Sequence, residues 1–297
     1  MLCIFTPTYN RKELLGELFQ SLLSQTKYDF SWLIVDDGST DGTGIIVEGW
    51  KKESPFEIEY IYKENGGKHT AVNVALDKVE KYLNVCIDSD DQVVSEFVDK
   101  ILSNHEKYSK RYSDTISYVY PWSDGSPKYE IDVEKEPQIV NSWRVARDIH
   151  KVTEVIRVFK PKVLNNIRFS EFPDEIFQPE TVIFSQAALK GDSLYFFYPL
   201  VMGKYQQGGL TDQRSKNILL SPRGYTLGLM LQYHYLTHAN HRKKTINQIK
   251  IIAELIAINH ALKKGLSNVV SANLFLYMIA LPIGVLYSMK KYRSEQR

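Results

Sequence analysis

The stretch 32–43, WLIVDDGSTDGT, decides how the first half of this chain folds. Four apolar residues are followed at once by two aspartates and then by a run of Gly, Ser, Thr and Asp. A short apolar run bounded by turn residues is typical of a buried strand. The Asp-Gly-Ser-Thr-Asp-Gly run supplies the residues that turns and helix starts require. We therefore predict a strand over 32–35 and a helix that begins near Thr43.

The same strand–turn–helix unit occurs on both sides of that stretch. Further strands are predicted at 2–6, 58–62 and 84–87. Helices are predicted at 12–25, 43–52 and 70–81. This alternation predicts an α/β fold with a mostly parallel sheet, flanked by helices on both faces.

Polar clusters follow three of these strands. They are TPTYN at 6–10, DDGS at 36–39 and DSDD at 88–91. Ligands bind parallel sheets outside the carboxyl ends of the strands, so the three clusters are expected to share one edge.

The remainder of the chain has an irregular middle and a helical end. Residues 113–211 contain many aromatic residues and several Pro and Gly breaks, whereas the pattern is helical from about Gly224. A polar stretch at 213–223 separates the two. We therefore predict a catalytic domain over 1–215 and a helical C-terminal region over 216–297.

The charge balance excludes one class of partner. The 297 residues include 37 Lys and Arg against 35 Asp and Glu, a net charge of +2, which argues against a nucleic-acid-binding protein. The charge is unevenly divided. Residues 241–297 carry ten basic and two acidic residues, a net +8, which leaves −6 for residues 1–240.

The two cysteines indicate neither a disulfide framework nor a zinc site. Cys3 and Cys86 lie inside the apolar runs CIF and VCI, as small buried residues do. The N-terminus enters an apolar strand without the charged segment and cleavage site of a signal peptide. The catalytic part is expected in the cytoplasm.

The three clusters together suit a nucleoside diphosphate and a metal ion. Tyr9 offers a flat face to a base, and Asp37 offers an acceptor to a base edge. The carboxylates of 88–91 suit a hard divalent cation, which takes one or two protein carboxylates and leaves other positions to water and phosphate. Each cluster also has a structural explanation, as a turn or as the acidic first turn of a helix.

Four motifs resemble the family 2 glycosyltransferases of the GT-A fold, of the bacterial surface and capsular polysaccharide type. They are TPTYNR at 6–11, VDDGSTDGT at 35–43, NGGKHTAVNVAL at 65–76 and DSDD at 88–91. The resemblance covers about the first hundred residues. It implies an inverting transfer of a sugar from a nucleotide-sugar, expected to be a UDP-sugar, to an acceptor hydroxyl with Mn²⁺ or Mg²⁺ as cofactor.

The resemblance also assigns residues. It places Thr8 and Tyr9 in the nucleoside pocket and makes Asp37 an acceptor from the base. Asp88 and Asp90 match the metal-binding DxD pair, in which Asp88 is expected to lie toward the ribose. The other residues that it assigns to the nucleotide-sugar are Arg11, Asn65, Gly67, Lys68 and Ser89. Many members carry an Arg near the position of Lys68 and His69, which leaves the role of Lys68 open.

An inverting displacement also needs a carboxylate that takes the proton of the acceptor hydroxyl. The segment FSEFPDEIFQPETVIF at 169–184 offers Glu171, Asp174, Glu175 and Glu180. Pro179-Glu180 stands where many members have Glu-Asp at the start of a helix. Glu180 is therefore the predicted base and Asp174 the second choice, with helix capping as the alternative role of Glu180.

Two further features refine the resemblance. YQQGGLTD at 205–212 resembles a strand and turn that close the active site in some bacterial members, although an ordinary turn explains its glycines nearly as well. The QxxRW motif of processive synthases is absent from the sequence, which favours a single transfer.

The C-terminal region predicts contact with a membrane surface. Residues 265–289 contain no charge, and fourteen apolar residues at 274–287 are followed by four basic residues within 290–297. Fourteen residues are short for a span, and basic residues are attracted to anionic lipid. We favour peripheral docking on the inner face of the cell membrane, near a lipid-linked glycan acceptor. A buried core helix or oligomer contact and a true span are the alternatives.

Two other functions fit parts of the pattern. A non-catalytic nucleotide-sugar-binding subunit of a polysaccharide assembly is favoured by the unusual Pro-Glu. A nucleotidyltransferase needs a Gly-rich basic loop after its first strand, which TPTYNR is not. The identity of the sugar, the linkage and the oligomeric state have no signal in the sequence.

Overall fold

A computed structural model of the chain describes residues 1–108, 112, 114–121, 137–140, 155–203, 213–238, 244–264 and 273–292. The strands are β1 Leu2–Thr8, β2 Phe30–Asp36, β3 Glu57–Tyr62, β4 Leu83–Cys86, β5 Asp91–Val93, β6 Asp114–Pro121, β7 Gln138–Val140, β8 Val155–Phe159 and β9 Ser193–Gly203. The helices are α1 Lys12–Leu23, α2 Thr43–Glu53, α3 Lys68–Val79, α4 Phe97–Tyr108, α5 Thr181–Ala188, α6 Arg214–Leu220, α7 Pro222–His238, α8 Lys244–Ala261 and α9 Leu274–Lys291.

The strands of the described residues form one mixed sheet in the order β3-β2-β1-β4-β8-β6-β9-β5, with β7 paired to β9. The first four are parallel, as the alternation of strands and helices predicts. Beyond β4 the sheet becomes mixed, because β8 pairs antiparallel with both β4 and β6. Strands β6, β7, β8 and β9 come from the irregular middle of the chain, where the sequence predicts no strand. The short strand β5, which precedes that region, pairs antiparallel with β9.

The chain forms two compact units, which are described separately. Unit 1 comprises Met1–Arg168 and Lys190–Gln206, and unit 2 comprises Phe169–Leu189 and Gln207–Arg297. Within unit 2, α5 packs against α7, although the sequence division at residue 215 placed that segment with the first half. The division into domains 1–215 and 216–297 stays a prediction.

The core of unit 1 lies on both sides of the parallel strands. All seven residues of β1 are buried, as expected for a strand covered by helices on both faces. On one face, Phe19 of α1 stacks on Trp50 with ring centroids 4.4 Å apart and on Trp32 at 6.0 Å. The indole N–H of Trp32 donates to Thr6 Oγ1 at 3.0 Å, so the buried polar atom is satisfied.

The core of unit 2 is built between helices. Ile252, Ile256 and Ala257 of α8 are fully buried, as is Ala280 of α9. A Cβ on Gly284 would lie 2.6 Å from Ala253 O and 2.7 Å from Ile256 Cβ. The absence of a side chain at Gly284 is therefore what permits α9 to approach α8 so closely.

Most predicted elements of the first half agree with the structure to within two residues. The predicted helix over 70–81 begins two residues earlier, because Gly67, with φ +93°, ends the preceding loop. The polar stretch 213–223 contains the helix α6. The YQQGGLTD segment at 205–212 and residues 265–272 lie outside the described residues.

Candidate active site

The loops after β1 and β2 are joined by side chains. Asn10, which adopts φ +50°, accepts from Thr40 N at 2.8 Å and donates its own N–H to Ser39 Oγ at 2.8 Å. Asp41 accepts from Lys12 N at 2.9 Å and from Thr43 N at 3.0 Å. Asp41 thus holds the first residues of α1 and α2 together at the carboxyl edge of the sheet.

The two neighbouring aspartates at the end of β2 have different partners. Asp36 accepts from the Tyr60 hydroxyl at 2.7 Å and from Ser39 N at 2.7 Å. Burial and, second, the bond to Asp36 raise the pKa of Tyr60. Asp36 therefore supports the scaffold, while the Asp37 carboxylate turns toward the loop between β3 and α3.

The loop between β3 and α3 is organised around Asp37. Its carboxylate accepts from the backbone N–H groups of Gly66 at 3.0 Å and Gly67 at 2.7 Å. The Lys63 ammonium lies 2.6 Å from the same carboxylate. The Asn65 side-chain amide donates to Asp37 O at 2.9 Å. The backbone of the predicted nucleotide-binding loop is thereby fixed to the end of β2.

Gly38 permits this close approach of the two loops. It adopts φ +91°, a conformation that favours glycine. A Cβ at this position would lie 2.9 Å from Asn65 N and 3.2 Å from Asn65 Cβ. Both the backbone angle and the contact with Asn65 therefore call for glycine.

The carboxylates of 88–91 are paired with cations from two other elements. Arg11, just after β1, forms an ion pair with Asp90 at 2.9 Å. Lys68, the first residue of α3, forms one with Asp88 at 2.8 Å. Burial and, second, the charge of Asp88 raise the pKa of Asp90, and Arg11 opposes this rise. Four of the predicted site residues are thus brought together in two ion pairs.

The donor chemistry of Asp88 and Asp90 fits a divalent cation. The two carboxylates repel each other, which an additional positive charge would relieve. Within the described parts of the chain, no three His, Cys, Asp or Glu side chains form a metal-ligand group. Two carboxylates are nevertheless sufficient for Mg²⁺ or Mn²⁺ when phosphate oxygens and water complete the coordination.

The remaining predicted nucleoside residues lie at the same edge. Thr8 is the last residue of β1, is 3% exposed and accepts from Asp37 N at 2.9 Å through its carbonyl. Tyr9 follows it and is half exposed. Ser89, between the two DxD carboxylates, is buried. The structure thus places Thr8 at the end of β1, and Tyr9 and Ser89 on the loops that carry Arg11 and the DxD carboxylates.

The acidic segment 169–184 belongs to unit 2. Glu175 is buried and accepts from Arg223 N and Gly224 N, both at 2.8 Å, at the start of α7. A buried carboxylate at a helix N-terminus stabilises that helix, so Glu175 has a structural role. Asp174 has a side chain that is 88% exposed and lies 3.5 Å from Arg223.

Glu180, the predicted base, immediately precedes α5 and is exposed. Its carbonyl accepts from Ile183 N and Phe184 N, both at 3.0 Å. The structure describes no hydrogen bond from the Glu180 side chain to the cap of α5. The exposed carboxylate is therefore not used to cap this helix.

Lys63 is the residue that sequence reasoning missed. Its ammonium contacts Asp37, the Glu64 carbonyl and Thr70 Oγ1, the last at 2.8 Å. The one local signal is a lysine immediately after β3 and two residues before Asn-Gly-Gly-Lys. Nothing in that position indicates a partner 26 residues earlier in the chain.

Comparison with known proteins identifies related glycosyltransferases. The sequence is 30% identical over 128 residues to the putative teichuronic acid biosynthesis glycosyltransferase TuaG of Bacillus subtilis. That alignment covers 43% of this chain and 50% of TuaG, so the chain spans half the length of this relative.

Solved structures share the fold. The crystal structure of Staphylococcus aureus TarS 1–349 superposes with a TM-score of 0.59 at 17% identity, covering 99% of this chain and 91% of that one. The mannosyltransferase PcManGT of Pyrobaculum calidifontis, in complex with GDP-Man and Mn²⁺, superposes with a TM-score of 0.53 at 17% identity. The superposition covers 97% of this chain and 87% of that one.

These likenesses confirm the predicted α/β fold of the GT-A type with C-terminal helices. The sequence profile described as glycosyl transferase family 2 matches residues 3–167, more than half of the chain. The match includes every predicted nucleotide-binding and metal-binding residue. The chain therefore belongs to glycosyl transferase family 2.

Proposed function

We propose that this protein transfers a sugar from a nucleoside diphosphate sugar to an acceptor hydroxyl, with inversion at the anomeric carbon. The observation that carries the proposal is the pairing of Arg11 with Asp90 and of Lys68 with Asp88. These contacts bring two carboxylates and two cations to the carboxyl edge of the sheet. Such a site suits a diphosphate together with a divalent cation.

The proposed reaction is a single displacement. The acceptor hydroxyl oxygen forms a bond to the anomeric carbon as the bond from that carbon to the diphosphate oxygen breaks. The proton of the hydroxyl goes to a carboxylate, and the electron pair of the broken bond stays on the leaving diphosphate. In this proposal, Arg11 and Lys68 stabilise the negative charge that develops on the diphosphate.

Asp88 and Asp90 would hold Mn²⁺ or Mg²⁺. When bound, the cation supplies neutralisation of the charge on the diphosphate. Ser89 lies between these carboxylates and is assigned to the nucleotide-sugar.

Glu180 is the proposed base and Asp174 the second choice. The Glu180 side chain is exposed and does not cap α5. By contrast, the Glu175 carboxylate is buried against the first residues of α7. This contrast favours Glu180 over Glu175 as the proposed base.

The proposed donor is a UDP-sugar, with Thr8, Tyr9, Asp37, Asn65 and Gly67 at the nucleoside. The proposed acceptor is a lipid-linked glycan in the synthesis of a bacterial surface polysaccharide. The likeness to TuaG, whose name refers to teichuronic acid biosynthesis, supports this class of product.

The exposed face of α9 supports a peripheral position on the cytoplasmic side of the cell membrane. Among the described residues, α9 is the one helix that is long and apolar enough to cross a membrane. Leu276, Tyr277 and Ala280 are buried within the protein. Large apolar residues on its other side are exposed: Leu274, Phe275, Met278, Ile279, Ile283, Leu286, Tyr287 and Met289. Because one side is buried, docking is favoured over a span.

The distribution of charge supports lipid as the proposed occupant of that exposed face. Lys290 follows the apolar residues and is exposed. The sequence contains no acidic residue between 265 and 294, and Arg293 and Arg297 continue the basic end. A basic end beside an apolar face fits an anionic membrane surface.

A donor panel tests the proposed function. Purified protein is incubated with UDP-, GDP- and dTDP-sugars, Mn²⁺ and an acceptor extract, and nucleotide release and sugar transfer are measured. We expect transfer with a UDP-sugar. If the folded protein neither releases nucleotide nor transfers sugar with any of these donors, the proposal is contradicted. If it binds UDP in a metal-dependent way but shows no turnover, the protein is a non-catalytic subunit instead.

Glu180→Gln separates binding from transfer. We expect the variant to bind the nucleotide as the wild type does and to lose transfer by roughly two orders of magnitude or more, as removal of a general base does. Glu48→Gln, an exposed change on α2, is the matched control. If Glu180→Gln keeps full activity, Glu180 is not the base, and Asp174→Asn is the next variant to test.

A further inference from the structure

The Asp37 carboxylate has few acceptor positions left. Its Oδ1 atom accepts from Lys63 at 2.6 Å and from Gly66 N at 3.0 Å. Its Oδ2 atom accepts from Gly67 N at 2.7 Å. A carboxylate offers about four lone-pair sites, two on each oxygen. One acceptor site therefore remains, and it lies on Oδ2.

Lys63 is held firmly in this arrangement. Besides Asp37, its ammonium donates to the Glu64 carbonyl and to Thr70 Oγ1. Thr70 Oγ1 in turn donates to Gly67 O at 2.9 Å. The Asp37 side chain is only 4% exposed, so water has little access to replace the lysine. Lys63 thus occupies Oδ1 and couples Asp37 to the first turn of α3.

A buried hydroxyl at the end of β1 also lacks a partner. Thr8 Oγ1 is buried, and among the described residues it has no hydrogen-bond partner. The hydrogen bond from Asp37 N to Thr8 O, at 2.9 Å, makes the two residues neighbours across β1 and β2. A buried hydroxyl without a partner indicates a ligand that supplies one.

We infer that Lys63 is a positioning residue that limits Asp37 to one acceptor site and thereby selects a base with a single imide N–H, uracil or thymine, over guanine. The inference rests on the proposed function, since it concerns the base of the proposed donor. An imide N–H donates to Asp37 Oδ2. The last acceptor site of the Asp37 carboxylate then has a partner.

Guanine does not match this set of groups. Its pairing edge presents the N1–H and the N2 amino group side by side, and a carboxylate receives both only when each oxygen has a free site. Because Lys63 and Gly66 occupy Oδ1, the N2 amino group is left without an acceptor at Asp37. A buried donor without a partner costs affinity.

Calorimetry with UDP, dTDP and GDP in the presence of Mn²⁺ tests the inference on the wild-type protein. We expect UDP and dTDP to bind roughly ten-fold or more tightly than GDP, the effect of one unsatisfied buried donor. GDP binding as tight as UDP binding overturns the inference and leaves the glycosyltransferase proposal intact. Absence of binding by all three nucleotides overturns both.

Lys63→Met separates the role of Lys63 from that of the loop as a whole. Methionine keeps most of the length of the side chain and frees one acceptor site on Oδ1. The preference for UDP over GDP should therefore fall to within about three-fold, because the N2 amino group gains an acceptor. The KM for the UDP-sugar should rise with little change in kcat, since Lys63 acts on binding of the base. Lys63→Arg, which keeps a charged donor, should recover part of the preference.

Lys78→Met is the matched control. Lys78 is in the last turn of α3 and forms an exposed ion pair with Glu59 at 3.9 Å. We expect its nucleotide preference to equal that of the wild type. A folded Lys63→Met protein with the wild-type ratio of UDP to GDP affinity contradicts the role of Lys63. If Lys63→Met does not fold, the role of Lys63 is judged from the ratio of UDP to GDP affinity in the wild type and in Lys63→Arg.

Discussion

At the scale of single residues, the site depends on positions where one residue type fits. Gly38 and Gly42 both adopt positive φ, +91° and +87°, in the loop after β2. Only Gly38 also lies against another chain segment, because a Cβ there would come within 2.9 Å of Asn65 N. A Cβ on Gly42 would meet no atom within 4 Å. Substitutions at Gly38 and Gly42 therefore distinguish the effect of backbone strain from the effect of steric contact.

Gly38→Ala should weaken both stability and nucleotide binding. A non-glycine residue at positive φ costs about 1–3 kcal/mol, and the clash with Asn65 adds to this cost and displaces the loop that carries Gly66 and Gly67. Urea unfolding and calorimetry with UDP measure the two effects.

Gly42→Ala is the control for Gly38→Ala. It should show a loss of stability from backbone strain alone and should bind UDP as the wild type does. Equal losses of stability and of binding in the two variants would mean that the contact with Asn65 has no role in the site.

At the scale of elements, the α8–α9 pair shows how a small residue sets helix packing. Gly284 of α9 lies where a Cβ would meet Ala253 O at 2.6 Å. The obstacle is backbone, which cannot rotate away as a flexible side chain does. Ser288 of the same helix lies 3.1 Å from the ring of His260, so polar contacts accompany the close approach.

Gly284→Ala should destabilise the protein even though alanine favours helices. The gain in helix propensity is about 1 kcal/mol, and the cost of overpacking is about 1–3 kcal/mol. Gly49→Ala on α2 is the matched control, because a Cβ there would meet no atom within 4 Å. Thermal unfolding should show a lower midpoint for Gly284→Ala and an unchanged or higher one for Gly49→Ala; the same rise in both would contradict the packing argument.

At the scale of the whole molecule, charge and apolar surface are unevenly distributed. The net charge of +2 combines −6 over residues 1–240 with +8 over residues 241–297. The largest run of exposed apolar side chains on a described helix is on α9, directly before Lys290. Together these features predict binding to an anionic membrane.

The protein should sediment with vesicles of anionic lipid more than with zwitterionic vesicles, and salt should reduce the binding, because each Lys or Arg near the surface contributes about 1 kcal/mol. Replacing Phe275, Met278 and Leu286 by serine should abolish sedimentation without unfolding the protein.

The control for this triple variant replaces Ile45, Leu189 and Leu220, three exposed apolar residues outside α9, by serine. It should sediment as the wild type does. If the wild type does not bind vesicles and light scattering shows a dimer that the Phe275, Met278 and Leu286 variant loses, the exposed face of α9 is a contact between copies of the chain.

The sequence by itself determined the alternation of strands and helices over the first 87 residues and the motifs at the strand ends. These properties are local, since hydrophobic period and turn residues act over a few positions. The family and the nucleotide-binding and metal-binding candidates follow from the same motifs.

Only the tertiary structure decided which partner each side chain has. It separated Asp37 from its neighbour Asp36, paired Arg11 with Asp90, and introduced Lys63, which no motif indicates. It also decided which side of α9 is buried. The physical reason is that these choices depend on contacts between residues far apart in the chain, and a hydrogen bond or an ion pair depends on distance in space rather than on position in the sequence.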